Sequence, residues 1–130
     1  AVAALRAGGI TSGLVDVGRN VYALGTTGDR ASGWPVGVVH PATGAIEGVF
    51  MLRDQAVATS GNAEQHHRLA GVQVGHLLDA RRGRPADGPL SATVLARTGT
   101  DAAGISSVAF LLGTDALRGW PEPLAVHVIG

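Results

Sequence analysis

Twenty of the 130 residues are glycine, and they fall where one short apolar run gives way to the next. Glycine takes positive φ without steric cost, so it ends helices and closes tight turns, and it weakens any element that holds it internally. A chain punctuated in this way is built from short strands and turns, with helices only where glycine thins out. Ala1 to Ala7 reads as the last turns of a helix closed by Gly8-Gly9. Strands are expected over Ile10–Val17 and Asn20–Leu24, joined by Gly18-Arg19, and over Trp34–Val39. His40-Pro41-Ala42-Thr43-Gly44 then turns the chain into a strand through Val49, Phe50 and Leu52. Ala56–Thr59 is a further short apolar strand that Ser60-Gly61-Asn62 is expected to break.

The second half is less regular. Residues 64–69, which carry His66 and His67, read as a helical turn or a loop. Gly75–Asp79 is a short extended piece, and a Gly/Arg/Pro loop fills residues 80–89. Leu90–Ala96 alternates as a half-buried strand does. Asp101 is the expected N-cap of a helix over Ala102–Leu112 that stops at Gly113, and Leu124–Ile129 forms a last strand. About seven strands and two or three helices, not in strict alternation, define an α+β fold. The expected architecture is a mixed or antiparallel sheet with a few packed helices, forming one domain over residues 1–130.

Charge and cysteine content remove several function classes. Ten acidic residues balance ten arginines, with no lysine, so there is no basic field for nucleic acid or an anionic membrane surface. Any phosphate binding has to be local. The absence of cysteine excludes disulfides, thiol catalysis and thiolate metal sites. No apolar run reaches the roughly 20 residues of a spanning helix. Ala-Val-Ala-Ala-Leu-Arg does not read as a signal peptide, and a start without Met fits a processed chain or one that begins within a longer protein.

Three places carry candidate chemistry. Thr59-Ser60-Gly61 is either a strand-ending turn or a cradle that offers hydroxyls and backbone N–H groups to a phosphate. His76 and Asp79 stand in His76-Leu77-Leu78-Asp79-Ala80-Arg81-Arg82-Gly83-Arg84-Pro85. In a regular strand they point to opposite faces, so His76 is a candidate general base and Asp79 a loop-holding side chain or a plain Asx turn. The segment Asp101–Ser107 opens a helix whose serines either pack or meet an anion. Adjacent His66-His67 diverge in direction and lack a carboxylate at ligand spacing, which argues against zinc. Arg81, Arg82 and Arg84 form a solvated loop or a diphosphate clamp.

The order and spacing of these blocks resemble one family. The chain looks like the C-terminal half of an ApbE-family protein, the FAD:protein FMN transferases. The resemblance runs through Gly9–Asn20 with Tyr22-Ala23-Leu24-Gly25, Trp34–Val38 with Pro41, and Ala56–Gly61. It continues through His76–Asp79 with Arg81, Gly83 and Pro85, then Ser91–Val94, and Ile105-Ser106-Ser107 with Phe110–Gly113. It implies a T-fold-like half-domain and a Mg²⁺-dependent transfer of FMN from FAD to a Thr of a target flavoprotein, with AMP released. By the same resemblance His76 is the base for the acceptor hydroxyl. Thr59, Ser60 and Gly61 line the flavin nucleotide site, and Asp79 supports the His76 loop. The implied partners are an acceptor flavoprotein, or a second chain that supplies the family's other half; neither nucleic acid nor an integral membrane segment is implied.

The departures bear on the metal. The family's Mg²⁺-binding Asp and Thr fall at Ala103 and Ser107, and Ala103 has no side-chain ligand. Asp101 lies about 200° around a regular helix from position 103 and substitutes only if the helix starts later. Arg19 replaces an expected Gly, Ala80 a Pro and Arg82 a Thr. Three readings follow: a flavin transferase, an ApbE-like module that binds flavin, nucleotide or protein without catalysis, and a subunit that pairs through an exposed sheet edge.

Overall fold

The computed structural model describes residues 1–28, 33–62, 66–69, 72–75, 77–120 and 125–130, with only the backbone of 66–69 and 72–74. Helix α1 (Val2–Ala7) leads into strands β1 (Gly13–Val17), β2 (Asn20–Leu24), β3 (Trp34–Val39), β4 (Ile46–Leu52) and β5 (Gln55–Gly61). Four short strands follow, in two separate pairs: β6 (His66–Leu69) with β7 (Val72–Gly75), and β8 (Leu78–Asp79) with β9 (Arg84–Pro85). Strand β10 (Ser91–Ala96), helix α2 (Gly99–Leu112), a 3₁₀ turn (Thr114–Leu117) and β11 (Ala125–Ile129) complete the order.

The principal sheet has the order β1-β2-β5-β10-β11, and every neighbouring pair is antiparallel. Strand β5 lies at its centre and is covered on both faces, which explains why Ala56-Val57-Ala58 is continuously apolar rather than alternating. One face receives α2. Its buried residues Ala102, Ile105, Ser106, Ala109 and Phe110 recur at the i, i+3, i+4, i+7, i+8 spacing of a single helical face. They meet small sheet residues, Ala56, Ala58 and Ala96 with Ala102, and Ala92 with Ala109 and Phe110. The opposite face is covered by the β3–β4 hairpin, where Leu52, Trp34, Val36 and Phe50 pack on Ala23, Val57, Val21 and Leu95.

The structure corrects several local expectations. Strand β1 starts at Gly13 rather than Ile10. Strand β5 is not broken at Ser60: Ser60 and Gly61 stay in the ladder opposite Ala92 and Ser91, because β10 extends far enough to pair them. Residues 66–69 form a strand paired with β7, not a helical turn. The loop over 80–89 contains β9, which pairs with β8. The cap of α2 is Thr98, not Asp101. The Thr98 hydroxyl accepts the Asp101 N–H at 3.1 Å and donates to the Asp101 carboxylate at 2.7 Å, a reciprocal arrangement that starts the helix three residues earlier. Leu124 lies outside the described residues, and the last strand begins at Ala125.

Candidate functional site

Side chains in a strand alternate between faces, so Thr59 and Ser60 serve different surfaces. Ser60 faces α2, with its Oγ 2.9 Å from Ser106 Oγ and 3.2 Å from Ser107 Oγ. Thr59 faces the hairpin side, 2.9 Å from Thr93 Oγ1 on the paired strand. The hydroxyl pair suggested by sequence adjacency is therefore split by the sheet. Both residues still line one cavity of about 260 Å³, at the end of the sheet where Gly61 and Ser91 lie opposite each other. The Gly18-Arg19 turn, Ala103, Ser106 and Ser107 of α2, and Leu77 enclose it.

Hydrogen-bond directions define what the helix wall offers. Ser106 and Ser107 both donate to the Ala103 carbonyl, at 3.0 and 3.1 Å. With Ser60 they form a small hydroxyl network in which the Ala103 carbonyl is the fixed acceptor. Ser91 differs: it is 3% exposed and its Oγ has no hydrogen-bond partner, an unmade bond that costs stability unless a ligand or water completes it. Gly61 is needed beside it, since a Cβ there would lie 2.8 Å from the Leu90 carbonyl oxygen.

The β1–β2 turn carries the only formal charge among the described lining residues, that of Arg19. Gly18 and Arg19 take φ of 58° and 70°, the pattern of a two-residue type I′ hairpin, in which Gly or Asn is favoured at both positions. Asp16 accepts the Arg19 backbone N–H at 3.0 Å and secures the turn. A second space of about 150 Å³ adjoins on the hairpin side and shares Arg19, Val39 and Thr59.

Asp79 stands apart from this cavity. Its carboxylate, 6% exposed, accepts the backbone N–H, Nε and Nη2 of Arg81 at 3.0, 3.0 and 2.9 Å, while Arg82 and Gly83 donate backbone N–H groups to its carbonyl. The Arg81 guanidinium holds its carboxyl well down, from 3.8 to about 2, with burial opposing. Arg81 and Arg82 are thereby spent on Asp79, and Arg84 pairs with Asp87 at 2.8 Å, so none of the three lines the cavity. His76 lies outside the described residues, as do the side chains of His66 and His67. Its sequence neighbour Leu77 is at the cavity wall.

The Mg²⁺ suggested by resemblance does not fit these residues. Ala103 and Ser107 do line the cavity, one turn apart, but no carboxylate joins them and Ser107 is bonded to the Ala103 carbonyl. Mg²⁺ is a hard cation usually held by one or two carboxylates. Asp101 is committed to Thr98, and no three Asp, Glu, His or Cys side chains come together among the described residues. The lining instead offers a glycine that keeps the wall open, several hydroxyl-bearing residues and one arginine, in a volume just below the about 300–1,000 Å³ of usual ligand pockets. Sequence reading overlooked Ser91 as a lining residue because nothing local marks it; only the β5–β10 register sets it against Gly61.

The comparisons agree with this fold. A family model described as the ApbE family matches residues 1–129. The FAD:protein FMN transferase of Treponema pallidum is 36% identical over 119 residues, covering 84% of this chain and 33% of that protein. That of Rhodobacter capsulatus is 35% identical over 100 residues, covering 76% of this chain and 19% of that protein. The chain thus spans a third or less of the length of these two curated relatives. The crystal structure of the ApbE protein from Thermotoga maritima superposes with a TM-score of 0.72 at 32% identity, over 82% of this chain and 35% of that one. The Pseudomonas stutzeri flavinyl transferase ApbE in its apo form gives 0.68 at 27% identity, over 88% and 35%. Matched over nearly its whole length and sharing the antiparallel α+β fold of solved members, this chain belongs to the ApbE family.

Proposed function

We propose that this chain carries part of the FAD site of an FAD:protein FMN transferase, and that the full reaction moves FMN from FAD to a Thr hydroxyl of an acceptor flavoprotein. The observation that carries the reading is the cavity at the Gly61–Ser91 end of the sheet, walled by Thr59, Ser60, Gly61, Ala103 and Ser107 inside the family-matched region. In the reaction the acceptor oxygen forms a bond to the FMN phosphorus as the phosphoanhydride bond breaks. The hydroxyl proton passes to a base, and AMP leaves with the bridging oxygen. Such a transfer requires positioning and charge stabilisation more than covalent help from the protein.

His76 is the base in this reading, since a neutral imidazole titrates near the pH where a hydroxyl proton has to be taken up. The family match, which runs through His76, supports it. Asp79 contributes through the turn it closes with Arg81 rather than through a ligand contact.

The test is incubation of the protein with FAD and a Thr-containing acceptor flavoprotein, with AMP read by chromatography and the acceptor by intact mass. Equal amounts of AMP and of FMN-bearing acceptor are expected, with both lost in H76A. Release no greater than in the H76A control overturns the reading.

A further inference from the structure

We propose that Arg19 does the electrostatic work of a divalent cation at this cavity, its guanidinium binding the diphosphate of the nucleotide so that binding needs no metal. The inference deepens the nucleotide reading above and rests on it for the identity of the ligand.

Three observations carry it. First, the described lining of the cavity of about 260 Å³ holds no acidic residue and Arg19 as its single charged one, while Asp16 lines only the adjoining space and is bonded to the Arg19 backbone N–H, so a divalent cation is disfavoured in the main cavity and an anion favoured. Second, the α2 wall keeps its hydroxyls in a network of their own. Ser60, Ser106 and Ser107 bond one another and the Ala103 carbonyl, so an anion that engages them has to break those bonds, whereas a guanidinium on the opposite side brings charge-assisted donors. Arg19, in the β1–β2 turn, belongs to that side. Third, Arg19 occupies a φ of 70°, where a β-carbon is strained and Gly is preferred. An arginine held in a costly conformation in a turn that lines the cavity points to a side chain used for something the turn itself does not need.

Arg19 already has an interaction of its own in this structure. Its guanidinium carries five N–H donors in a planar fork, so an incoming diphosphate shares the group rather than requiring it idle. Lysine would keep the charge and lose the fork.

The experiment measures binding of FAD, by fluorescence anisotropy, and of inorganic pyrophosphate, by calorimetry, each in EDTA and again with Mg²⁺. It compares wild type, R19G and R19K. R19G suits the backbone, so its melting temperature should equal or exceed that of wild type, and lost binding then cannot come from unfolding. The expected result is affinity in EDTA within about twofold of that with Mg²⁺, weakened about tenfold or more in R19G and less in R19K, as for a charge-assisted bond. Binding that requires Mg²⁺, or R19G binding as tightly as wild type, overturns the inference and leaves the flavin reading standing if FAD binds. Arg19-dependent pyrophosphate binding without FAD binding upholds the anion site and removes the flavin reading. Binding of neither probe overturns both.

Discussion

Restoring a carboxylate at position 103 tests the account of the cavity most directly. Ala103 and Ser107 line the same wall one helical turn apart, so A103D sets a carboxylate and a hydroxyl about 5–6 Å apart at their Cβ atoms, close enough to share a hydrated Mg²⁺. The cavity of about 260 Å³ has room for the added carboxyl group and for water on the metal. Without metal the variant should be slightly less stable than wild type, since Asp costs up to about 0.7 kcal/mol relative to Ala within a helix. With about 10 mM Mg²⁺ and a dissociation constant on the order of 1 mM, linkage returns about 1.4 kcal/mol. For a chain of this size that raises the melting temperature by about 4 °C. Calorimetry or dye-based melting at matched ionic strength reads the shift directly. Wild type should move by less than about 1 °C on the same scale, and S107A placed on A103D should shrink the response. A wild-type shift as large as that of A103D would show a metal site that this account denies. No shift in A103D would show that position 103 does not reach one.

Three other substitutions probe the supports of the site. The Asp79 carboxyl is held at about 2 against an ordinary 3.8, so its stabilising contribution is complete above pH 3.8 and lost as pH falls through that value toward 2. The difference in urea midpoint between wild type and D79N should therefore be constant from neutral pH down to about 5 and close as pH approaches 2; a difference that persists there contradicts the Arg81 pairing. T98A removes the side chain that accepts the Asp101 N–H and should cost about 1 kcal/mol in urea unfolding, with T98S close to wild type. G61A places a Cβ 2.8 Å from the Leu90 carbonyl oxygen and 3.3 Å from Ser91 Cβ on extended backbone. A loss of about 1–3 kcal/mol, measured by the same unfolding, is expected from the backbone shift it forces.

Much of the fold is local and was legible. Glycine positions marked the ends of α1 and α2. The strand β10 was legible but not its burial: it reads as half-buried, yet it is buried on both faces because α2 and the β3–β4 hairpin cover the sheet there. The short apolar run at Ala56–Ala58 announced a strand, and the structure added that it is covered on both faces. The misses share a cause, which is that a competing partner lies far along the chain or beside an equally good candidate. Ser60-Gly61 has the composition of a turn, yet β10 supplies ladder bonds that outweigh that preference. Thr98 and Asp101 are both good caps, and their reciprocal bonds settle which one begins the helix.

The same division holds for the site. By itself the amino-acid sequence determined the α+β class, the missing charge field, the ordered blocks of the ApbE resemblance and the loss of a ligand at Ala103, because each depends on residue identity or on near neighbours. Tertiary structure alone decided that Thr59 and Ser60 face opposite ways and that Ser91 stands across from Gly61. It also separated Asp79 from the cavity and brought Arg19 to it. Those are consequences of strand register and helix docking, which join residues 30 to 90 positions apart and leave no trace in local composition.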